Sequence, residues 1–298
     1  MKSAITLILI VFYGTQCLSF PRYSFNKNRV NYVPIDQSPR MDIPLVYNRK
    51  VQKWIKFKTT RGKRGFQIWL ERSHRYLPRM KSILREYNLP EDLAYISLIE
   101  SGLSAHAVST AQAVGYWQFI SATGQRYGLK KTWWLDERRD FYKSTKAAAN
   151  YLRDLYKIFG SWYLTAAAYN MGETRLKRLI RKYGTTNFWS LAKQPDFPKE
   201  TRAYIPKLIA TILIAKNPKL YGFTNIEPME PYAYEPYFAP GGTDLHGLAS
   251  YIGFTAEHLR RLNPGLVKGF IPKIEKGYWI RIPKGHLNNV SRYIKTQI

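Results

Sequence analysis

The chain has 298 residues, 45% of them hydrophobic, enough for one full-sized globular domain plus a smaller module and too apolar for a disordered protein. Its 47 Lys and Arg against 20 Asp and Glu give a formal charge of +27, which attracts extended polyanions: nucleic acid, anionic lipid or an acidic wall polymer. The basic residues are dispersed among 8 Trp, 23 Tyr and 14 Phe, a mixture that disfavours nucleic acid and suits sugars, whose apolar faces stack on aromatic rings.

Met1-Lys2 is followed by an apolar run from Ala4 to Tyr13. About ten residues fall short of the ~20 that cross a bilayer and match a secretory signal. Residues 1–19 are therefore expected to be an export signal cleaved after Ser19. The alternative, a lipid anchor on Cys17, is disfavoured by Gln16 just before it. Cys17 is the only cysteine, so the mature chain would hold no disulfide, thiol nucleophile or cysteine metal site. Residues 20–44 are polar, carry Pro21, Pro34, Pro39 and Pro44, and read as a linker.

A helical pattern fills residues 45–226 almost throughout, with Ser144 and Ser161 as N-caps and Gly102, Gly128, Gly160, Gly172 and Gly184 as stops. Trp69, Leu70, Tyr76, Leu77, Met80, Ile83 and Leu84 supply apolar positions before the segment 94–102, AYISLIESG. On a helical wheel Leu93, Ile96 and Glu100 fall close to one line, while Ala94, Tyr95, Leu98 and Ile99 cover the other directions. The segment reads as a buried central helix that starts at Pro90-Glu91-Asp92 and ends at Gly102, with a carboxylate on its apolar stripe. Two readings of Glu100 follow: a helix-end residue bonded to the next loop, or an acid whose pKa is raised by lost hydration and which donates a proton near neutral pH.

Further along, Asp136-Glu137-Arg138-Arg139-Asp140 reads as a solvated loop. Tyr169 and Asn170 read either as a core aromatic beside a helix C-terminus or as site residues. Glu200 and Tyr204 lie one helical turn apart and share a face. They either line a cleft or reflect the preference for an acid at a helix start. Leu208, Ile209, Ile212 and Leu213 mark a late helix beyond Pro206.

Pro228, Pro231, Pro236 and Pro240 crowd before Gly241-Gly242 and mark a second boundary, with a module at 227–298. Leu245, Leu248, Ala249 and Ile252 form a short helix stopped at Gly253, Thr255 caps a second over Ala256–Leu262, and residues 278–283 alternate like a strand. The five histidines are scattered without ligand spacing, so no metal site and no cofactor is expected.

Three segments, Ile99-Glu100-Ser101-Gly102-Leu103-Ser104, Ala113 to Phe119 and Ala167-Ala168-Tyr169-Asn170-Met171-Gly172, together resemble the lytic murein transglycosylases of glycoside hydrolase family 23, relatives of goose-type lysozyme. Residues 65–73, Tyr76-Leu77-Pro78, 89–93, Ala122-Thr123-Gly124 and 200–206 look like the membrane-bound type D subgroup. The likeness runs from about residue 45 to 222. Tyr116, where the family often has Leu, is a departure. Residues 243–245, 259–265 and 279–283 resemble a LysM-like glycan-binding fold, departing by an insertion-like 266–276 and by Gly242-Thr243-Asp244 in place of Gly-Asp-Thr. The implied architecture is an all-α lysozyme-like catalytic domain followed by a small α+β, βααβ module. That module is expected either to bind glycan or to be a structural appendage packed on the catalytic domain.

The resemblance implies that Glu100 is the catalytic acid and later base, with Ser101, Gln118, Tyr169 and Asn170 at the substrate and Glu200 and Tyr204 as further cleft candidates. Most glycosidases use two carboxylates, and no second acid near Glu100 is marked. The resemblance resolves this by substrate assistance: the 2-acetamido group of N-acetylmuramic acid stabilises C1, and deprotonated Glu100 activates the same sugar's C6 hydroxyl, giving a 1,6-anhydro product without water. The implied partner is the peptidoglycan glycan strand, in the periplasm or cell envelope, against an anionic wall or membrane surface. A monomer is favoured. Water-consuming muramidase chemistry and a non-catalytic basic wall- or nucleic-acid-binding protein are the alternatives.

Overall fold

In the computed structural model, residues 41–297 are described; the expected signal at 1–19, Cys17 and most of the linker lie outside them. Nine helices cover the first part: α1 (Arg49–Thr59), α2 (Lys63–Glu86), α3 (Tyr95–Ser101), α4 (Ser121–Arg126), α5 (Phe141–Phe159), α6 (Trp162–Met171), α7 (Glu173–Tyr183), α8 (Phe188–Leu191) and α9 (Lys199–Lys216). The helical reading of this region agrees with that order. Among the described residues no helix is long and apolar enough to cross a membrane.

Local chemistry accounts for the helix ends. The Asn48 side chain accepts from the Lys50 and Val51 amides to start α1, as a cap residue should. Asp140, not Ser144, caps α5 by accepting from the Lys143 amide. Ser144 is fully buried one turn inside, its hydroxyl 2.6 Å from Asp140 O. Ser161 does occupy the N-cap of α6, without a side-chain bond. Gly102 closes α3 at φ +60, and a Cβ there would lie 2.2 Å from the Trp69 indole nitrogen. Glycine is thus required twice, for the left-handed turn and for the close approach.

The start of α3 is a 3-10 turn, Glu91–Ala94. Asp92 within it is fully buried, accepting from the Asp42 amide at 2.7 Å and pairing with Lys216 at 2.6 Å. Ile43 is buried and Pro44 O accepts from the Tyr163 hydroxyl at 2.5 Å, so residues 41–44 pack on the helical body. Helix α3 lies against α2 and α9. The last of these buries residues on nearly every side, from Thr201 to Ile214, as expected of a helix through the middle of a core. It does not begin beyond Pro206 but runs through it. Packing around the whole helix outweighs the local cost of about 3 kcal/mol that an interior proline carries.

Residues 225–232 then run along α2: Gln67 donates to Asn225 O, the Met229 amide to Glu71 O, and Arg75 to Glu230 O. The final part is β1 (Tyr234–Pro240), α10 (Leu245–Tyr251), α11 (Ala256–Leu262), β2 (Gly277–Pro283) and α12 (Leu287–Gln297). The two strands pair antiparallel, Tyr237 opposite Ile280. Pro236 and Pro240, which marked a boundary in the sequence, sit within β1; in a two-stranded sheet each strand has a free edge that needs no amide donor. Thr255 caps α11 as expected, and α12 is an addition to the expected elements.

The segment 136–140 is the clearest departure from expectation. Asp136, Glu137, Arg138 and Asp140 are all under 8% exposed, not solvated. Each acid has a cation: Arg138 on Asp136 at 2.7 Å, Lys143 on Glu137, and Arg281 on Asp140 at 2.6 Å. Trp134 and Leu135 complete the apolar core of the C-terminal βααβ unit together with Ala239, Leu248, Leu259, Ile280 and Ile282.

Candidate active site

Helix α3 delivers Glu100 to the floor of a cleft of about 410 Å³, lined also by Ser109, Gln118, Phe119, Tyr169, Asn170 and Glu200. Five of the seven residues expected from sequence, Glu100, Gln118, Tyr169, Asn170 and Glu200, therefore meet there. The cleft wall is aromatic: Tyr169 stands 5.2 Å from Tyr151 and 6.3 Å from Phe119, ring centre to ring centre.

Burial pushes the Glu100 carboxyl above its ordinary range, and the nearby Glu200 adds to the rise. Opposing this, the Tyr204 hydroxyl donates to Glu100 Oε1 at 2.5 Å, and the Lys207 ammonium favours the charged form. Burial dominates, so the carboxyl holds its proton to higher pH than an ordinary glutamate. Tyr204 thus holds Oε1 of a carboxyl that lines the cleft.

Tyr204 does not line the cleft. It is buried behind Glu100, and burial beside that carboxyl drives its own pKa far up, so it acts there as a neutral donor. Ser101 is half-buried and outside that lining: its Oγ lies 2.8 Å from Tyr116 O and 3.1 Å from Ser97 O, and accepts from the Ser104 amide at 3.3 Å. It ties the end of α3 to the loop that carries Gln118.

Gln118 sits at φ +49. Its Nε2 donates to Gly115 O at 2.9 Å and Ala107 O at 3.2 Å, which uses both amide protons. Only Oε1 remains for a ligand, so Gln118 offers an acceptor and not the donor–acceptor pair that its residue type suggests. Tyr169 donates to Trp117 O at 2.7 Å, keeping acceptor capacity toward the cleft. Asn170 links Glu200, to which Nδ2 donates at 3.0 Å, with Thr201, whose hydroxyl donates to Oδ1 at 2.7 Å.

Lys207 was not anticipated. It donates to Ile99 O at 2.9 Å, and burial lowers its pKa while Glu100 and Glu200 raise it. Glu200, Tyr204 and Lys207 are spaced i, i+4, i+7 on α9, one face of a helix. That spacing is visible in the sequence once Pro206 is allowed inside the helix.

Residues 80–192 match the family model described as Transglycosylase SLT domain. Glu100, Ser101, Gln118, Tyr169 and Asn170 fall within it, and Glu200, Tyr204 and Lys207 follow it. Over 224 residues the chain is 35% identical to the membrane-bound lytic murein transglycosylase D of Escherichia coli (strain K12), a match covering 74% of this chain and 48% of that protein. The protein of the same name from Escherichia coli O6:H1 matches to the same extent. The chain thus spans about half the length of the curated relatives it matches.

Proposed function

The chain carries a transglycosylase SLT domain over residues 80–192, and from that premise we propose that it is an exported peptidoglycan lytic transglycosylase. It cleaves the β-1,4 bond between N-acetylmuramic acid and N-acetylglucosamine and leaves 1,6-anhydromuramoyl ends. The observation that carries this reading is the Glu100 carboxyl, one oxygen held by Tyr204, in the lining of a cleft that also contains Gln118, Tyr169, Asn170 and Glu200.

Glu100, whose burial holds its proton to higher pH than an ordinary glutamate, gives that proton to the glycosidic oxygen as the C1–O bond breaks. The sugar's own 2-acetamido group stabilises C1 meanwhile. The resulting Glu100 carboxylate is held by the Tyr204 hydroxyl and the charge of Lys207. It then takes the proton of the C6 hydroxyl as that oxygen bonds C1. The proton lost in the first step is regained in the second, and no water is consumed. Oε1 of Gln118 accepts from a sugar hydroxyl or acetamido N–H, and the half-buried Tyr169, packed on the buried Tyr151 and Phe119 rings, borders the sugar site. Ser101 acts on the shape of the cleft from behind.

The C-terminal βααβ unit is read here as LysM-like. Phe238 and Trp279, 48% and 60% exposed with ring centres 5.5 Å apart, offer it a sugar-stacking surface. The name of the relatives, membrane-bound, together with the charge of +27, favours a place in the cell envelope against anionic polymer or lipid.

Mass spectrometry of the soluble products released from purified murein tests the reading. Disaccharide-peptides one water lighter than their reducing counterparts are expected. Hydrated reducing ends would instead make the protein a muramidase, and sacculi that sediment intact with bound protein would make it a binder.

A further inference from the structure

The five residues 136–140 are gripped from two sides. From the C-terminal unit, Gly265 O accepts from the Asp136 amide at 2.8 Å, the Tyr278 hydroxyl donates to Glu137 Oε1 at 2.7 Å, and Arg281 clamps both Asp140 oxygens at 2.6 and 2.8 Å. Lys143 donates to the Tyr278 hydroxyl at 2.9 Å and to Glu137, closing a triangle. A bidentate guanidinium–carboxylate pair fixes orientation as well as distance.

The two arginines between those anchor points face the other way. Arg138 donates to Phe119 O at 3.0 Å and to Gln112 O at 3.1 Å, and Arg139 donates to Ala105 O at 3.1 Å. These carbonyls belong to the loop that carries Gln118 into the cleft. Gly115 within that loop, at φ +82, lies so close to the Arg138 carbonyl that a Cβ would be 2.0 Å from it. Residues 136–140 are thus shared between the C-terminal unit and the cleft loop.

We propose that the C-terminal unit is a positioning element of the cleft: Tyr278 and Arg281 hold residues 136–140, and through Arg138 and Arg139 these hold the loop that presents Gln118. The bonded path from Arg281 to Gln118 passes through Asp140, the short backbone to Arg138, Phe119 O and the residue next to it, with no flexible link on the way. Asp140 is a buried acid whose cation, Arg281, comes from 141 residues further along the chain, and Glu137, beside its local partners Lys143 and the Lys130 amide, takes the Tyr278 hydroxyl from the same distance. The compensation of Asp140 above all requires the C-terminal unit to stay docked. A tethered module that samples many orientations would leave both without Tyr278 and Arg281. The effect on turnover rests on the proposed transglycosylase reading; the mechanical coupling does not.

The test uses the full chain with Arg281→Met, Arg281→Lys and Tyr278→Phe. Amide hydrogen exchange is followed at Val114 and Gly115, whose N–H groups bond Phe119 O and Ala107 O, with the Gly172 amide on Ala168 O as a control on α6. Turnover of purified murein is measured in parallel. Arg281→Met is expected to speed exchange at Val114 and Gly115 at least tenfold while Gly172 is unchanged, and to lower kcat/KM by about tenfold, since small misplacements of binding groups cost that much or more. Arg281→Lys, which keeps a cation beside Asp140 but loses the bidentate fork, is expected to fall between wild type and Arg281→Met in both. Unchanged loop exchange in a folded Arg281→Met protein overturns the proposal. Should that variant not fold, Tyr278→Phe, which deletes one hydroxyl and keeps the ring, is read by the same criteria. If the wild type releases nothing from murein, the functional reading fails alone, and loop exchange still decides the coupling.

Discussion

Glu100→Gln removes one transferable proton and little else. The glutamine Oε1 can still accept from the Tyr204 hydroxyl, which lies 2.5 Å from the carboxyl oxygen it replaces, and the side chain keeps its length and planarity. On the proposed mechanism, what is lost is general acid catalysis and the later base step. A positioned acid or base is worth roughly 10²–10⁴ in rate, or about 3–5 kcal/mol of barrier at 1.36 kcal/mol per tenfold. Release of soluble muropeptides from purified murein should therefore fall at least ~100-fold. Stability should move the opposite way. Because burial raises the Glu100 pKa in the folded state, the stability tied to its neutral form is fully present below the unfolded pKa of about 4.3 and is lost as pH rises through the folded pKa. Glutamine suffers no such loss. Thermal melts should thus coincide for variant and wild type near pH 4 and favour the variant at pH 8. Activity within ~3-fold of wild type would refute the role of Glu100. A variant less stable than wild type at pH 8 would refute the account of its environment.

Tyr204→Phe deletes the hydrogen bond that lowers the Glu100 pKa, so the alkaline limb of the kcat/KM profile should move to higher pH, and an unmoved limb counts against Tyr204 as its tuning partner. Lys58 is 3% exposed, its ammonium 4.1 Å from the Phe66 ring centre and 4.9 Å from that of Trp69, and burial with the Lys207 charge lowers its pKa to about 7. A folded pKa below the unfolded value near 10.5 means that the penalty of burying the charge is complete below pH 7 and relieved between pH 7 and 10.5. Lys58→Met should stabilise the protein by about 2 kcal/mol at pH 6, after allowing for the lost cation–π contacts, with the gain shrinking toward pH 10 in urea titrations. Gly115→Ala forces a Cβ to 2.0 Å from Arg138 O at a left-handed φ and should cost about 3 kcal/mol or more, with muropeptide release falling alongside the urea midpoint.

What the sequence disclosed and what it concealed divide along physical lines. Glu100, Gln118, Tyr169 and Asn170 were legible because each sits in a short segment whose neighbours carry the pattern, and α3 was legible because its apolar periodicity and Gly102 are local. Lys207 was hidden by Pro206. A proline ordinarily ends or starts a helix, and only the burial of α9 on every side keeps this one continuous. The segment 136–140 misled for a related reason. Three acids and two arginines in five residues look solvated by composition, yet Tyr278 and Arg281, which make burial tolerable, are 141 positions away. The loss of both Gln118 amide protons to Gly115 O and Ala107 O follows from the fold of one loop, which residue type does not encode.

On the proposed mechanism Glu100 acts twice, and the opposing influences on its pKa suit that. Had burial acted alone, the proton would be held strongly enough that the carboxylate left after donation would be poorly tolerated. With only Tyr204 and Lys207 acting, the group would be ionised before the substrate arrived and have nothing to donate. Their combination keeps the proton on to higher pH than an ordinary glutamate would, while the charged form finds a hydroxyl donor and a cation already in place. Both come from α9, whose interior position in the core denies them alternative orientations. Glu200, one turn before Tyr204 on the same helix, works against the charge and is held by Asn170. A single helix face thus carries groups of both signs that act on the acid. On the two proposals together, α9 governs the proton inventory of the cleft, whereas the loop braced by residues 136–140 governs where a sugar would sit.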